Sequence, residues 1–173
     1  GTLLTGEPAP RTLHDFWGFP RALSEVRYPA PGDPALAARV AAALGAATET
    51  DWGLDHGTWS VLRHTHPAAD VPVVQLSVDE RLPAARHLAI GRALAPLREE
   101  GVLVMASGNI VHNLRHALSS ADRGETATPA WAADFDAAVA RALQRHDHAF
   151  LATVLDGPEG RRAHPTPDHF LPL

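Results

Sequence analysis

Imidazole side chains are the groups in this sequence most able to do chemistry. The chain holds eleven His and no Cys, which excludes disulfides, thiolate nucleophiles and thiolate metal sites. Neutral imidazole is the commonest metal ligand in proteins, and its proton is exchanged near neutral pH. The composition therefore favours two kinds of chemistry, metal binding and proton transfer by histidine.

The first candidate is His56, in the motif Trp-Gly-Leu-Asp-His-Gly-Thr-Trp of residues 52–59. The flanking glycines let the backbone approach a ligand closely. We expect Asp55 to orient the ring through one nitrogen, which leaves the other for proton transfer or for a metal. The alternative is a surface turn in which His56 has no chemical role.

Two further candidates, His112 and His169, lie in the second half of the chain. His112 closes the Ser-Gly-Asn-Ile-Val-His of residues 107–112, directly after an apolar run. If that run is a strand, His112 lies at its carboxyl end, where open α/β sheets bind ligands; the alternative is a histidine that caps its own helix start. His169 ends the His-Pro-Thr-Pro-Asp-His of residues 164–169, whose prolines fix the backbone and would preorganise a metal ligand. Such proline-rich loops also occur for structural reasons alone.

A fourth histidine, His14, belongs to an aromatic loop, Leu-His-Asp-Phe-Trp-Gly-Phe-Pro, at residues 13–20. A polar His-Asp pair among aromatic side chains either lines a pocket or is buried for structural reasons. Both interpretations stay open from the residues alone.

Helices and strands alternate in the pattern that must position these side chains. Asp33-Pro34 predicts an N-cap and first turn of a helix that Gly45 ends, and a short helix is expected around Trp59. The apolar runs 71–78 and 102–106 predict buried strands, as in parallel sheets.

Two more helices are predicted, one from residue 83 to residue 100 and one opened by Pro129. A strand, a helix and a strand with short joints form a right-handed crossover unit. We therefore predict an α/β fold, and by length one domain over residues 1–173.

Charge and hydropathy exclude several classes of partner. Fifteen basic residues, all Arg, stand against twenty acidic ones, so the net charge is −5 and no basic footprint for nucleic acid is present. No apolar run approaches the roughly 20 residues that cross a bilayer, and no signal peptide is evident, so we expect no membrane partner and a cytoplasmic location. Phosphate-binding loops, Gly-x-Ser-x-Gly elbows and His-Glu-x-x-His helices are also missing.

Six ordered blocks give the chain a resemblance to a known family. They are residues 14–20 (HDFWGFP), 28–32 (YPAPG), 53–59 (GLDHGTW), 72–79 (PVVQLSVD), 106–114 (ASGNIVHNL) and 164–173 (HPTPDHFLPL). Together they resemble the class III extradiol ring-cleavage dioxygenases, in the branch similar to 4,5-DOPA dioxygenase. The resemblance implies the fold of the catalytic subunit of these enzymes, a central, mostly parallel sheet with helices on both faces.

The resemblance also implies an activity and a role for each candidate residue. Family members open a catechol-type ring with O₂ and carry one Fe(II) ion, with zinc at the same place in some. His112 matches a family histidine that is a metal ligand or the acid/base, His169 matches a metal ligand, and His56 matches a catalytic histidine on the substrate side. His14 matches the substrate-binding pocket wall. A small catechol-like aromatic, with DOPA as one candidate, and O₂ are the expected partners, and a homo-oligomer stays open.

The chain departs from the family pattern at both ends. Two upstream histidine motifs of the family, Gly-His-Gly-Ser-Pro and Ser-Ala-His-Trp, do not occur, and neither does the family's closing segment. We therefore expect a domain truncated at both ends. The main alternative is a non-catalytic fragment or relative that binds a small aromatic or a partner protein, and a zinc hydrolase is a third hypothesis without a motif behind it.

Overall fold

Short parallel strands and helices alternate through the first part of the chain. The computed structural model describes residues 1–173, which form two units, residues 1–79 and residues 80–173. The elements of the first unit are β1 (Leu3–Thr5), β2 (Arg11–Thr12), α1 (Arg21–Ser24), α2 (Pro34–Leu44), β3 (Ala47–Glu49), β4 (Gly53–Leu54) and α3 (His56–Thr65).

The four strands form two parallel pairs. β1 pairs with β3, with Leu3 opposite Ala47, and β2 pairs with β4, with Arg11 opposite Gly53. Gly53 is needed at this place because a Cβ there would lie 2.3 Å from the Arg11 carbonyl oxygen. Parallel pairing with an intervening helix agrees with the predicted α/β class.

Helix α2 forms as its capping residues predict. The Asp33 carboxylate accepts a hydrogen bond from the Leu36 N–H at 2.9 Å, Pro34 is the first helical residue, and Gly45 ends the helix with φ 63°. Its buried face packs against β1 and β3, and so the helix forms the crossover between these two strands.

The core of the first unit surrounds Trp59, which is 1% exposed. Tyr28, Ala30, Leu54 and Leu62 are buried with it. The polar atoms of its aromatic members are paired, since Trp59 Nε1 donates to the Leu13 carbonyl at 2.7 Å and the Tyr28 hydroxyl donates to the His66 carbonyl at 2.9 Å. This core fixes the start of α3, where His56 lies.

The strand predicted over residues 71–78 is wrong as a continuous element. Only Leu76 makes a bridge, antiparallel to Leu4, and the rest of the run has no regular secondary structure. The backbone bonds at this place join the run to β1, with Thr5 N–H donating to the Gln75 carbonyl and Ser77 N–H donating to the Leu3 carbonyl.

The second unit is built from helices and loops. Its elements are α4 (Ala84–Leu94), a 3₁₀ helix (Ala95–Glu100), α5 (Leu114–Asp122), α6 (Ala130–Gln144), α7 (His148–Thr153), a second 3₁₀ helix (Val154–Asp156) and α8 (Pro158–Ala163). The predicted helix over residues 83–100 is confirmed, although its last six residues, Ala95–Glu100, form a 3₁₀ helix before Gly101. The helix opened by Pro129 is confirmed as α6, and it buries Phe135 and Val139.

The strand predicted over residues 102–106 is wrong. The run is irregular, and Leu103 is 71% exposed. A strand needs a neighbour for its backbone donors and acceptors, and both strand pairs of the chain belong to the first unit. The apolar composition of the run is therefore not enough to make it a strand.

None of the helices combines the length and the apolar character that a bilayer crossing requires.

Candidate functional site

The candidate site of the first unit is a histidine held by an aspartate from a distant loop. His56 is the first residue of α3, and its Nδ1 lies 2.8 Å from Oδ2 of Asp15. The other carboxylate oxygen, Oδ1, accepts the backbone N–H of His56 at 3.1 Å. Asp15 therefore binds both the ring and the backbone of one residue, which fixes the position and the rotation of the imidazole.

The expectation that Asp55 orients His56 is wrong. Asp55 is the N-cap of α3, and its Oδ1 accepts the Thr58 N–H at 3.1 Å. Its Oδ2 accepts from Gln75 Nε2 at 2.9 Å. Both oxygens are thus committed to the helix start and to Gln75, and the ring is held by Asp15 instead.

Gln75 joins these groups from inside the first unit. The residue is 7% exposed, and its Oε1 accepts the Asp55 N–H at 2.9 Å and the Thr58 hydroxyl at 2.6 Å. Burial raises the pKa of Asp55, and this effect exceeds the opposing hydrogen bond from the Thr58 N–H and the nearby His56. The start of α3 is therefore a buried polar network whose parts depend on one another.

His14 lies beside this network in an aromatic group formed by His14, Phe16, Phe19 and Trp59. Its ring is 5.7 Å from that of Trp59 and 6.0 Å from that of Phe16, which in turn meets the His56 ring edge-on at 6.0 Å. Nε2 of His14 donates to the Val26 carbonyl at 3.0 Å, so this ring ties its loop to the chain before Tyr28. Its role as a pocket wall stays a prediction.

The candidate site of the second unit brings His112 and His169 together. Their rings are stacked, with centroids 3.5 Å apart and planes inclined by 11°. Both side chains are half-buried. The family resemblance implies that His169 is a metal ligand and that His112 is a metal ligand or the acid/base, and the structure places the two side by side.

Four hydrogen bonds hold the loop that carries His112 against the segment that carries His169. The backbone N–H groups of Asn109 and His112 donate to the carbonyls of His169 and Ala163, each at 2.9 Å. Nε2 of His164 donates to the Ile110 carbonyl at 2.7 Å, and the Asn113 amide donates to the Arg162 carbonyl at 2.7 Å. The two segments meet so closely that a Cβ on Gly108 would lie 2.2 Å from the His169 carbonyl oxygen.

Asp168 gives the His169 ring an acidic neighbour. Oδ2 of Asp168 lies 2.5 Å from Nδ1 of His169. Burial alone would raise the pKa of Asp168, but the hydrogen bond from the Thr166 hydroxyl and the charge of His169 outweigh it, and the pKa is lowered. An anionic partner on Nδ1 favours Nε2 as the atom that binds a ligand.

A cavity of ≈ 140 Å³ opens beside this pair. It is lined by residues 106–110 together with His169, Pro172 and Leu173. His169 is the one imidazole in this lining, so it is the one group there that could bind a metal or exchange a proton near neutral pH.

The donors present do not by themselves complete a metal centre. Catalytic zinc and non-haem iron sites use at least three protein ligands, and no group of three or more His, Asp or Glu side chains in this chain could hold an ion. Imidazole lone pairs lie in the ring plane, so two nearly parallel rings 3.5 Å apart cannot both aim at one ion unless one of them turns. The donors of residues 1–173 alone therefore do not fit a catalytic metal ion.

Sequence reasoning missed Asp15 and Gln75. The sequence presents Asp15 as part of the aromatic loop, and it is 41 positions from its partner. Gln75 lies in a run whose composition predicts a buried strand. A buried polar residue within an apolar run is the available signal, since such a residue needs partners.

Comparison with known proteins agrees with this architecture. A crystal structure of an uncharacterized Escherichia coli K12 protein matches 99% of this chain and 67% of its own chain, with 40% identity and a TM-score of 0.78. This likeness confirms the predicted fold class, since at this identity and TM-score the two chains share one fold.

Curated sequences similar to this chain point to one family. A 4,5-DOPA dioxygenase extradiol from Escherichia coli K12 is 44% identical over all of this chain and 65% of its own length. A 4,5-DOPA dioxygenase extradiol from Beta vulgaris is 38% identical over 94% of this chain and 62% of its own length. The chain thus spans a little under two thirds of these relatives. Residues 3–173 match the model of the catalytic LigB subunit of aromatic ring-opening dioxygenase, and the chain belongs to that family.

Proposed function

We propose that this chain is the part of an extradiol dioxygenase that opens a catechol-type ring with O₂. The family match over residues 3–173 carries the proposal. Relatives from Escherichia coli, Beta vulgaris and Portulaca grandiflora share the name 4,5-DOPA dioxygenase extradiol, which favours a small catechol as the substrate class.

For proton transfer, the chain supplies both an acid/base group, His56, and the carboxylate that orients it, Asp15. With Nδ1 of His56 engaged by Asp15 at 2.8 Å, exchange with a substrate runs through Nε2. His56 would take a proton from a catechol hydroxyl and later return it to the ring-opened product. The Asp15 carboxylate would stabilise the imidazolium formed between these two events.

If one of the two stacked rings turns, the second unit would contribute His112 and His169 to one Fe(II) or Zn(II) ion. This ion would supply the redox or Lewis-acid chemistry that O₂ insertion requires. Two imidazoles are fewer than the three ligands of known catalytic sites, so further donors from outside residues 1–173 are part of the proposal. His112 keeps its second proposed role as an acid/base.

The test compares the chain alone with the chain extended by the upstream segment of the Escherichia coli relative. Both are loaded anaerobically with Fe(II), mixed with a panel of catechols that includes DOPA, and exposed to O₂. We expect a coloured ring-opened product from the extended chain, and a loss of ~10²–10⁴-fold in kcat for its His56→Ala variant. An extended chain that folds and binds iron but opens no catechol would refute the proposal.

A second candidate is a non-catalytic relative that binds a small aromatic molecule or a partner protein. Such a protein would need no metal ion, and the donor set of residues 1–173, which offers no group of three potential ligands, is compatible with it. Metal content separates the two candidates. Stoichiometric iron or zinc in the purified extended chain supports the enzyme, and catechol binding by that chain without any retained metal supports the binding protein.

A further inference from the structure

We infer that Asp15 is the positioning residue of His56 and that it sets which ring nitrogen carries the proton. The inference deepens the proposed function and rests on it for its effect on turnover. Its structural part concerns the tautomer of His56, which can be measured in the protein without metal or substrate.

The two hydrogen bonds of Asp15 determine the tautomer. An ionised carboxylate only accepts hydrogen bonds, so the contact of 2.8 Å requires a proton on Nδ1 of His56. The second oxygen accepts the His56 backbone N–H at 3.1 Å, which prevents the carboxylate from rotating away. The neutral ring is thereby held with its proton on Nδ1, and Nε2 is the acceptor.

The backbone contact makes Asp15→Asn a specific test. The amide oxygen of Asn must face the His56 N–H, because an NH₂ group placed there would oppose one donor to another. The NH₂ group then faces Nδ1, which has to become the acceptor, and the proton moves to Nε2. The variant keeps the size and the backbone hydrogen bond of Asp15 but moves the proton of the neutral His56 ring from Nδ1 to Nε2.

A stabilising role alone does not explain the pair. The side chains of His56 and Asp15 are 44% and 42% exposed, and exposed ion pairs contribute little to stability. The same exposure lets a substrate reach the ring. The neighbouring Asp55, which the sequence suggested, has both of its oxygens committed to Thr58 and Gln75.

The first measurement is the tautomer of His56 by long-range ¹H–¹⁵N correlation NMR on the full chain. At pH ~8.5 an ordinary imidazole is neutral, so each ring nitrogen reports whether it carries the proton. The signals of His56 are assigned by their loss in His56→Gln. We expect a proton on Nδ1 in the parent chain and on Nε2 in Asp15→Asn; an unchanged tautomer in Asp15→Asn would overturn the inference.

The second measurement is turnover of the extended, iron-loaded protein described above. Asp15→Asn locks the wrong tautomer, whereas Asp15→Ala leaves the ring able to adopt either one. We expect Asp15→Asn to lose ~10²–10⁴-fold in kcat, with KM little changed, and Asp15→Ala to lose less. A merely structural role predicts the reverse order, because Asn is the more conservative replacement, and that order would also overturn the inference.

Asp33→Asn is the matched control. It makes the same substitution in the same unit, and Asn caps a helix as well as Asp does, so α2 should be retained. The His56 tautomer and the turnover should match the parent chain. If the parent protein itself shows no turnover, the proposed function fails, while the NMR result still decides the role of Asp15.

Discussion

Replacing Gln75 by Leu should destabilise the first unit strongly, although the two side chains are similar in size. Gln75 is 7% exposed and makes three side-chain hydrogen bonds, to the Asp55 N–H, the Asp55 carboxylate and the Thr58 hydroxyl. Leu can replace none of them. The variant leaves one backbone donor, one hydroxyl and one carboxylate oxygen without their partner at the start of α3.

The magnitude follows from the kinds of bond that are lost. A bond between neutral groups contributes about 1 kcal/mol net and a bond to a charged group about 1.5–3 kcal/mol. Water that reaches the partly exposed Asp55 would recover some of this loss. We expect the free energy of unfolding to fall by about 3–4 kcal/mol at neutral pH.

The loss should depend on pH because one of the partners is a carboxylate. The pKa of Asp55 is already raised above 3.8 by burial, and removal of the Gln75 donor raises it further. An acid with a raised folded-state pKa binds its proton more tightly in the fold, so stability falls as the pH rises through that pKa. The difference between Gln75→Leu and the parent chain should therefore shrink as the pH is lowered toward the pKa of Asp55.

Urea denaturation at several pH values provides the assay. It is followed by tryptophan emission, to which the buried Trp59 of the same unit contributes. Gln144→Leu, the same substitution at an exposed position at the end of α6, should change stability by less than about 0.5 kcal/mol. If Gln75→Leu costs under about 1 kcal/mol at neutral pH, the network is replaced by water and our account of the α3 start is wrong.

Three further predictions concern two residues of the second unit, His164 and Gly108, and the different roles proposed for His56 and His169. The pKa of His164 is lowered, mainly by burial, so the unfolded chain binds the proton more tightly than the folded chain does. The free energy of unfolding should therefore fall as the pH drops below about 6.5. In urea titrations, His164→Gln, which keeps a donor for the Ile110 carbonyl, should reduce this pH dependence by up to ~1.4 kcal/mol per pH unit. Gly108→Ala should cost about 1–3 kcal/mol in urea denaturation because its Cβ meets the His169 carbonyl at 2.2 Å, and a cost no larger than that of Gly91→Ala, whose Cβ meets nothing, would contradict the observed packing. In the extended protein, His169→Ala should lose its iron by elemental analysis while His56→Ala keeps it, and the opposite pattern would reverse the assigned roles.

Elements with local signals are predictable from the sequence. Asp33, Pro34 and Gly45 define the ends of α2 through their own backbone preferences, and the structure has those ends. The run 102–106 is different, because a strand exists only where another strand offers its backbone groups. The sequence shows the apolar run but not the missing neighbour, and so it predicts a strand that does not form.

In the candidate sites too, the motifs are visible in the sequence, whereas contacts between distant segments are not. His56, His112 and His169 can be selected because of their motifs, and the family resemblance places the last two together. The stacking of those two rings and the contact of Asp168 with His169 Nδ1 depend on how residues 109–113 align with residues 162–169. That alignment comes from backbone bonds between segments far apart in the chain, which no spacing encodes.

The place of Asp55 at a helix start disfavours it as the partner of the His56 ring. A helix that starts at His56 makes Asp55 its N-cap, and an N-cap carboxylate turns toward the backbone N–H groups two or three residues ahead. Those groups lie in the first turn of the helix, so an N-cap Asp is drawn away from the ring of the next residue. An Asp-His pair at a helix start therefore indicates that the carboxylate which orients the His comes from elsewhere, and here it comes from Asp15, 41 positions earlier. For such a motif, the useful search is among acidic residues of other loops, and a substitution of the adjacent Asp tests the helix cap rather than the chemistry.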